Sequence, residues 1–157
     1  MRRGVCDLWR RAEVRALANA RYLTALASTK DATPLATAAQ PVCRARTVQG
    51  RRHRALNPWA PDDAKLLETI SDGQWTLHGL RNRDLRHALY PETSDPKLRH
   101  RQAAAVTRKL TLLRAHGIIR KISRTHRWEL SARGRTVVTA LLAARHASID
   151  ELSRLAA

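Results

Sequence analysis

Residues 117–135, GIIRKISRTHRWELSARGR, constrain the fold of this chain more than any other stretch. Ile118 and Ile119 precede a cluster of Arg, Lys and His residues that also contains Ile122, and Trp128 and Leu130 follow that cluster. A buried hairpin would not carry so much charge, and a disordered basic tail would not carry so many large apolar residues. The stretch therefore predicts two short strands with an apolar inner face and a cationic tip.

The segment before this hairpin predicts a long helix that starts between Pro96 and Arg101 and stops at Gly117. Its apolar stripe comprises Ala103, Val106, Leu110 and Leu113, at spacings of three and four. Its opposite face is small and cationic and comprises Arg101, Ala104, Ala105, Arg108, Thr111, Leu112 and Ala115. No acidic residue occurs from Lys97 to Leu113, whereas a solvated surface normally mixes both signs of charge. The pattern favours a helix face that approaches another surface closely.

Two shorter helices are predicted before this long one. Pro61 predicts the start of the first, with two aspartates in its first turn, and Gly73 predicts its C-terminal cap. Residues 75–77 predict a short extended segment. Asn82 predicts the N-cap of the second helix, which Pro91 ends.

Two further helices are predicted after the hairpin. Ser131 predicts the N-cap of a helix that carries Val137, Val138, Leu141 and Leu142, and residues 148–157 predict a last short helix. We interpret the helix after Ser131 as a core helix; packing against its copy in a homodimer is the alternative, which the sequence leaves open.

The N-terminal third of the chain has a different pattern. Residues 5–28 are rich in Ala and predict a helix. Residues 29–58 contain three prolines, Gly50 and the basic run 51–54, which together predict a linker with at most one short ordered turn. The sequence thus predicts three parts: an N-terminal helical segment with a basic linker (1–57), a main domain (58–147) and a C-terminal short helix (148–157).

Composition bounds the class of partner. The formal net charge of +17 and the pI near 11.6 favour polyanions, either nucleic acid or an anionic membrane surface. No run of about 20 apolar residues occurs, so no membrane span is predicted. The first residues lack the apolar stretch of a signal peptide, which predicts a cytoplasmic location. Two isolated cysteines indicate free thiols rather than a disulfide framework.

The residues that usually carry chemistry are scattered. The seven histidines are dispersed, and neither cysteine lies at ligand spacing from another Cys or from a His, so we expect no metal site and no cofactor. We interpret His116, next to Gly117, as a partner of the dipole at the helix C-terminus. We interpret the thirteen acidic residues as helix caps and ion-pair partners. The sequence contains no glycine-rich phosphate loop and no nucleophile signature, so we expect no enzymatic activity.

Residues 60–146 resemble bacterial winged helix-turn-helix DNA-binding domains. Three runs carry the resemblance: Leu112–Ile119 is similar to the LLRxHGLI run that ends the recognition helix in that family, Thr125–Ser131 to the THRYxLT run of the returning wing strand, and Leu130–Arg135 to the LTxxGR run that opens the next helix. Trp128 and Ser131 replace the usual Tyr and Thr, and both keep the chemistry of an aromatic packing residue and a hydroxyl cap. The resemblance implies a mainly α fold with a small β-hairpin wing.

A narrower resemblance covers the start of this region. GRRHRALNP, followed by GLRNRDLRHAL, is similar to the C-terminal portion of longer bacterial proteins of unassigned function. That resemblance implies a sizeable N-terminal region that this chain lacks, so we interpret the chain as a short or truncated relative.

The winged-helix resemblance implies the residues that contact DNA. The recognition helix, about 101–116, would enter the major groove, with base contacts from Arg101, Gln102, Ala104, Ala105 and Arg108. Backbone and wing contacts, the wing being about 118–130, would come from Asn82, Arg83, Lys97, Arg99, Arg120, Lys121, Arg124, Thr125, His126 and Arg127.

The expected function is therefore duplex DNA binding, as a transcriptional regulator. The alternative is a low-specificity DNA- or RNA-binding accessory module of a larger complex such as a mobile-element assembly, which the basic segment 44–54 favours. A structural RNA-binding protein is less favoured, because the chain has few aromatic residues on which unpaired bases could stack.

Overall fold

The computed structural model describes residues 8–27 and 33–151, and it is mainly helical, with two antiparallel two-stranded hairpins. The elements in chain order are α1 (Leu8–Ala27), α2 (Leu35–Ala39), β1 (Arg46–Val48), β2 (Arg51–His53), α3 (Pro61–Ser71), α4 (Trp75–His78), α5 (Asn82–Leu89), α6 (Pro96–Ala115), β3 (Ile119–Lys121), β4 (Trp128–Leu130) and α7 (Ala132–His146). Within the described ranges, no helix is long and apolar enough to cross a membrane.

The predicted long helix and hairpin are confirmed. α6 begins at Pro96, and its N-cap Asp95 accepts a hydrogen bond from the Lys97 N–H at 2.9 Å. Gly117 ends this helix with a φ of +71°, a left-handed conformation that glycine adopts at little cost. β3 and β4 then pair antiparallel, with Ile119 opposite Leu130 and Lys121 opposite Trp128.

The core forms where the long helix meets the helices around it. The apolar stripe of α6 is buried, since Val106, Leu110 and Leu113 are all at most 4% exposed. From α7, Val137, Val138 and Leu141 enter the same cluster, so the interpretation of α7 as a core helix is confirmed. The remaining buried members come from α3, α5, α6, the connections and β3: Val42, Leu56, Leu66, Leu67, Ile70, Leu80, Leu85, Leu112, Ile118 and Ile119.

The connection between α3 and α5 differs from the prediction. Residues 75–77 belong to the short helix α4 rather than to an extended segment, and Trp75 Nε1 donates to the Thr69 carbonyl at 2.8 Å. The extended residue is Leu80, which forms an isolated antiparallel bridge with Trp128. Gly79 precedes it with a φ of +67°, and a Cβ there would lie 2.6 Å from the Trp128 carbonyl oxygen. Glycine is therefore required for this close approach of two backbones.

Two predicted caps were wrong by one residue each. α3 ends with Asp72 as its C-cap, and Gly73 does not adopt the left-handed conformation that the prediction required. The N-cap of α5 is Arg81, whose N–H donates to the Asp84 carboxylate at 2.8 Å. Asn82 is the first residue inside α5, and its side chain has a different role, described below.

The segment 29–58 contains more structure than a linker. α2 and the β1–β2 hairpin lie within it, and Val42 and Leu56 are 2% and 1% exposed in the core. α1 lies within the predicted helix 5–28. Of the predicted C-terminal helix, residues 149–151 are helical and residues 152–157 lie outside the described part of the chain.

The junction between α7 and the β3–β4 hairpin is closely packed. Ser131 is the N-cap of α7, as predicted; its Oγ accepts from the Gly134 N–H at 2.8 Å and donates to the Gly117 carbonyl at 2.7 Å. A Cβ on Gly134 would overlap the backbone of Ile118. The start of α7 therefore rests directly on the chain that leads from α6 into β3.

We predict that Gly134→Ala destabilises the protein, although alanine normally favours a helix over glycine. The added methyl group meets backbone atoms that have little freedom to move, so the free energy of unfolding in urea should fall by about 1–3 kcal/mol. Gly73→Ala is the control, because no heavy atom lies within 4 Å of a Cβ there, and it should change stability by less than about 0.5 kcal/mol. Equal stability of the two variants would contradict this account of the junction.

Candidate nucleic-acid interface

α5 holds α6 in place through one side chain at its start. Asn82 Nδ2 donates to the Ala103 carbonyl and to Thr107 Oγ1, both at 3.0 Å. Both amide hydrogens are therefore engaged within the fold, whereas the predicted role of this side chain was a contact with a phosphate. Arg83, the next residue, is 69% exposed at its side chain, and its Nε donates to the Asp84 carboxylate at 3.4 Å.

The open face of α6 runs from the start of the helix to Arg108. Four predicted cations in this part of α6 are exposed: Lys97, Arg99, Arg101 and Arg108. Ala104 and Ala105 are half-buried, so the surface between Arg101 and Arg108 is shallow. Leu112 and Ala115, on the same face by helical periodicity, are only 8% exposed each. The predicted outward face is thus open at its start and covered at its end.

Gln102 does not belong to the open face. It is 6% exposed, its Nε2 donates to the Pro91 carbonyl at 3.1 Å, and its Oε1 accepts from Arg86 at 3.5 Å. The predicted base contact by Gln102 was therefore wrong, because its amide ties α6 to the loop after α5. Its position beside Val106 on the helical wheel was the signal in the sequence that argued for burial.

The tip of the β3–β4 hairpin has a defined shape. The Ile122 N–H donates to the Arg127 carbonyl at 3.0 Å, and Thr125 Oγ1 donates to the Ile122 carbonyl at 2.8 Å. Arg124 has a φ of +58°, a conformation uncommon for residues other than glycine. The exposed cations of this tip and its strand are Arg120, Lys121, Arg124 and His126.

Three residues predicted to contact DNA have structural roles in this hairpin. Arg127 Nη1 donates to the His78 carbonyl at 3.0 Å, which satisfies the C-terminal end of α4. Arg120 lies opposite Glu129 and its Nε donates to that carboxylate at 2.7 Å, although the arginine side chain is 68% exposed. The Thr125 hydroxyl is used within the tip. The sequence identified the hairpin correctly, but it did not show which of its cations form hydrogen bonds within the fold.

The β1–β2 hairpin is a basic element that the sequence analysis missed. Val48 lies opposite Arg51 across a two-residue turn, whose residues Gln49 and Gly50 both have positive φ. Positive φ at both positions characterises the type I′ turn of tight hairpins. Gln-Gly is a weaker sequence signal for this turn than Asn-Gly or Asp-Gly, so it did not stand out within a run of polar and basic residues.

His116 fixes this hairpin to the end of α6. The imidazole is 1% exposed, with Nε2 at 2.8 Å from the Arg54 carbonyl and Nδ1 at 3.2 Å from the Pro41 carbonyl. The imidazole donates to both carbonyls only when both ring nitrogens carry a hydrogen. The prediction that His116 serves the dipole of its own helix was therefore wrong, since its contacts reach residues 62 and 75 positions away.

Asp63 fixes the other side of the hairpin base. This carboxylate is 2% exposed, and it accepts two hydrogen bonds from the Arg54 guanidinium and one from the Asn57 N–H at 2.9 Å. Burial alone would raise the pKa of Asp63, but the hydrogen bonds from Arg54 and Asn57 and the charge of Lys109 together hold it below its usual value. Asp63 is therefore ionised at neutral pH and pairs with Arg54.

Comparisons with known proteins find no match for this chain. No protein-family model matches the chain, and neither curated proteins nor solved structures give a significant match. Among the residues that the structure describes, no group of three or more His, Cys, Asp or Glu side chains could hold a metal ion.

We predict that Asp63→Asn lowers the free energy of unfolding by about 1–3 kcal/mol at neutral pH, because it removes charge-assisted hydrogen bonds from a buried site. The depressed pKa means that this contribution is complete above the ordinary aspartate pKa of about 3.9 and is lost as the pH falls below it. Urea titrations at several pH values would measure the effect.

Asp62→Asn is the matched control for this variant. Asp62 is exposed in the same first turn of α3, so its substitution removes the same charge and the same favourable interaction with the helix dipole. If Asp63→Asn cost no more than Asp62→Asn, Asp63 would not be the residue that holds the hairpin base.

Proposed function

We propose that this protein is a winged helix-turn-helix protein that binds duplex DNA with the open face of α6 and the tip of the β3–β4 hairpin. The order of α3, α5 and α6, followed by a hairpin, supports the proposal. The Leu80–Trp128 bridge supports it further, because it joins the connection between α4 and α5 to β4 of that hairpin. Winged-helix domains share this arrangement of three helices and a small sheet.

The observation that carries the proposal is the open face of α6. Arg101 and Arg108 are exposed on one face, two helical turns apart, and the side chains between them are alanines. The major groove admits an α-helix, and arginine recognises guanine through two parallel hydrogen bonds. Each such contact contributes about 1–3 kcal/mol of discrimination against the wrong base.

The neighbouring cations have the chemistry of phosphate contacts. Lys97 and Arg99 lie on the first turn of α6, and Arg124 and His126 lie on the hairpin tip. Contacts of this kind position the protein on the duplex without reading its sequence. A transcriptional regulator needs both sets, so we propose that role for the protein.

A second candidate function is a DNA- or RNA-binding accessory module with little sequence preference. The observation that favours it is the ordered β1–β2 hairpin, which adds cations and no base-reading helix. The two candidates differ in how affinity is divided between base edges and phosphates.

Selection from a random duplex library at near-physiological salt separates these candidates. We expect enrichment of a sequence motif, followed by a linear fall of log affinity with log salt concentration for the enriched duplex. Half-sites about one helical turn apart would indicate a dimeric regulator. Steep salt dependence without enrichment would instead favour the accessory module.

We predict that Arg108→Ala relaxes base preference at one position of the enriched site, whereas Arg124→Gly weakens binding to all sequences alike and lowers the salt slope by about 1. Glycine is chosen at Arg124 because it tolerates the positive φ found there, so any loss of affinity reports the side chain. Quantitative binding to a set of single-base variants of the site measures both effects.

Arg114→Ala is the control on the same helix. Arg114 is also exposed, but it lies about 120° around the helix axis from Arg108. This variant should keep the base preference of the wild type. An equal loss on every sequence for Arg108→Ala and Arg124→Gly would rule out base reading by Arg108.

A further inference from the structure

We propose that the β1–β2 hairpin is a second phosphate-binding element, which contacts the same duplex as α6 and extends the binding site at one edge. This inference rests on the proposed function of α6 and the β3–β4 hairpin. It assigns a role to a part of the chain that neither recognition helix nor wing accounts for.

The charge of this hairpin has one sign. No acidic residue occurs between residues 33 and 61 of the sequence. Arg54 is used by Asp63 at the base of the hairpin, and four other arginines of the segment have exposed side chains: Arg44, Arg46, Arg51 and Arg52. Arginine is suited to phosphate because its planar guanidinium can donate two parallel hydrogen bonds.

The hairpin meets α6 where the open face of that helix ends. Leu112 lies one turn beyond Arg108 on the same face, and it is 8% exposed. β1 contacts α6, and the buried His116 at the end of α6 lies within hydrogen-bond distance of the carbonyls of Pro41 and Arg54, on either side of the hairpin. A duplex that lies along the open face would therefore reach the hairpin as the face ends.

Both faces of the hairpin present arginine. The register places Arg46 opposite His53 and Val48 opposite Arg51, so these four residues share one face, on which Val48 and His53 are half-buried. Arg52 lies opposite Thr47 on the other face, and both are exposed. The tight turn and the contacts of Asp63 and His116 hold these cations in a fixed arrangement before any ligand binds, which lowers the entropic cost of binding.

The test is a triple variant, R46Q/R51Q/R52Q, in the full chain. We expect it to keep the base preference of the wild type, because phosphate contacts do not read sequence. The salt slope should fall by about 2–3, since each lost phosphate contact removes about 0.9. Hydroxyl-radical footprints on the selected duplex should lose protection at one edge only.

Two matched variants complete the experiment. R10Q/R11Q/R15Q removes the same number of exposed charges from α1, which packs on α4 and α7, and should leave the slope and the footprint almost unchanged. R46K/R51K/R52K retains the charge and should retain the slope. Circular dichroism melting checks that all three variants stay folded, which we expect because each substituted side chain is exposed.

The outcomes separate this inference from the proposed function. If the wild type bound no duplex, the proposed function and the inference would both fail. If the wild type bound and Arg108→Ala relaxed its preference, but R46Q/R51Q/R52Q behaved like the α1 variant, the inference alone would be overturned. Tighter binding to a structured RNA than to the selected duplex, lost in R46Q/R51Q/R52Q, would also overturn it, because the hairpin would then serve a different polyanion.

Discussion

Asp63 accepts hydrogen bonds from Arg54 and Asn57 at the start of α3, and the position of the whole segment 41–57 depends on this buried carboxylate. Val42 and Leu56 are the fully buried aliphatic side chains that this segment contributes to the core. Burial of these two aliphatic side chains stabilises the packing of the segment but does not fix its orientation, because the hydrophobic effect is not directional. The hydrogen bonds of Asp63 and the contacts of His116 fix the orientation of the segment, and they place the β1–β2 hairpin beside α6.

The same carboxylate illustrates how a chain with a net charge of +17 distributes its few acids. Asp84 receives the N–H of the residue before α5, Glu129 pairs with Arg120 across the β3–β4 hairpin, and Glu68 pairs with Arg145 between α3 and α7. Asp84 thus caps its own helix, whereas Glu129 and Glu68 each join two elements of the fold. The open face of α6 and the two hairpin tips therefore keep an excess of positive charge, which opposes compaction until an anion screens it. A polyanion that bound the folded state would therefore stabilise that state.

The sequence predicted the elements whose signals are local. Pro61, Ser131 and Gly117 mark helix ends through their own backbone and side-chain chemistry, and the apolar stripe of α6 follows from helical periodicity. The features that the sequence analysis did not predict depend on contacts between distant residues. Gln102 and His116 bond to residues in other connections, and these partners cannot be identified from the sequence around either residue. The β1–β2 hairpin escaped detection for the same reason, because its base is held by side chains of α3 and α6 rather than by a pattern of its own.

The number of arginines on the open face of α6 limits how selective the proposed interface can be. Two arginines on the open face of α6 would supply about 2–6 kcal/mol of base discrimination, at about 1–3 kcal/mol each. Specific regulators typically separate their site from other DNA by about 4–10 kcal/mol. One copy of the chain would therefore lie at the low end of that range, whereas two copies on an inverted repeat would double the discrimination. The many phosphate-contacting cations would raise affinity for every sequence equally, so they cannot replace that second copy. Two copies on one site would thus favour a regulatory role, whereas a single copy at the low end of the range also fits the role of an accessory module.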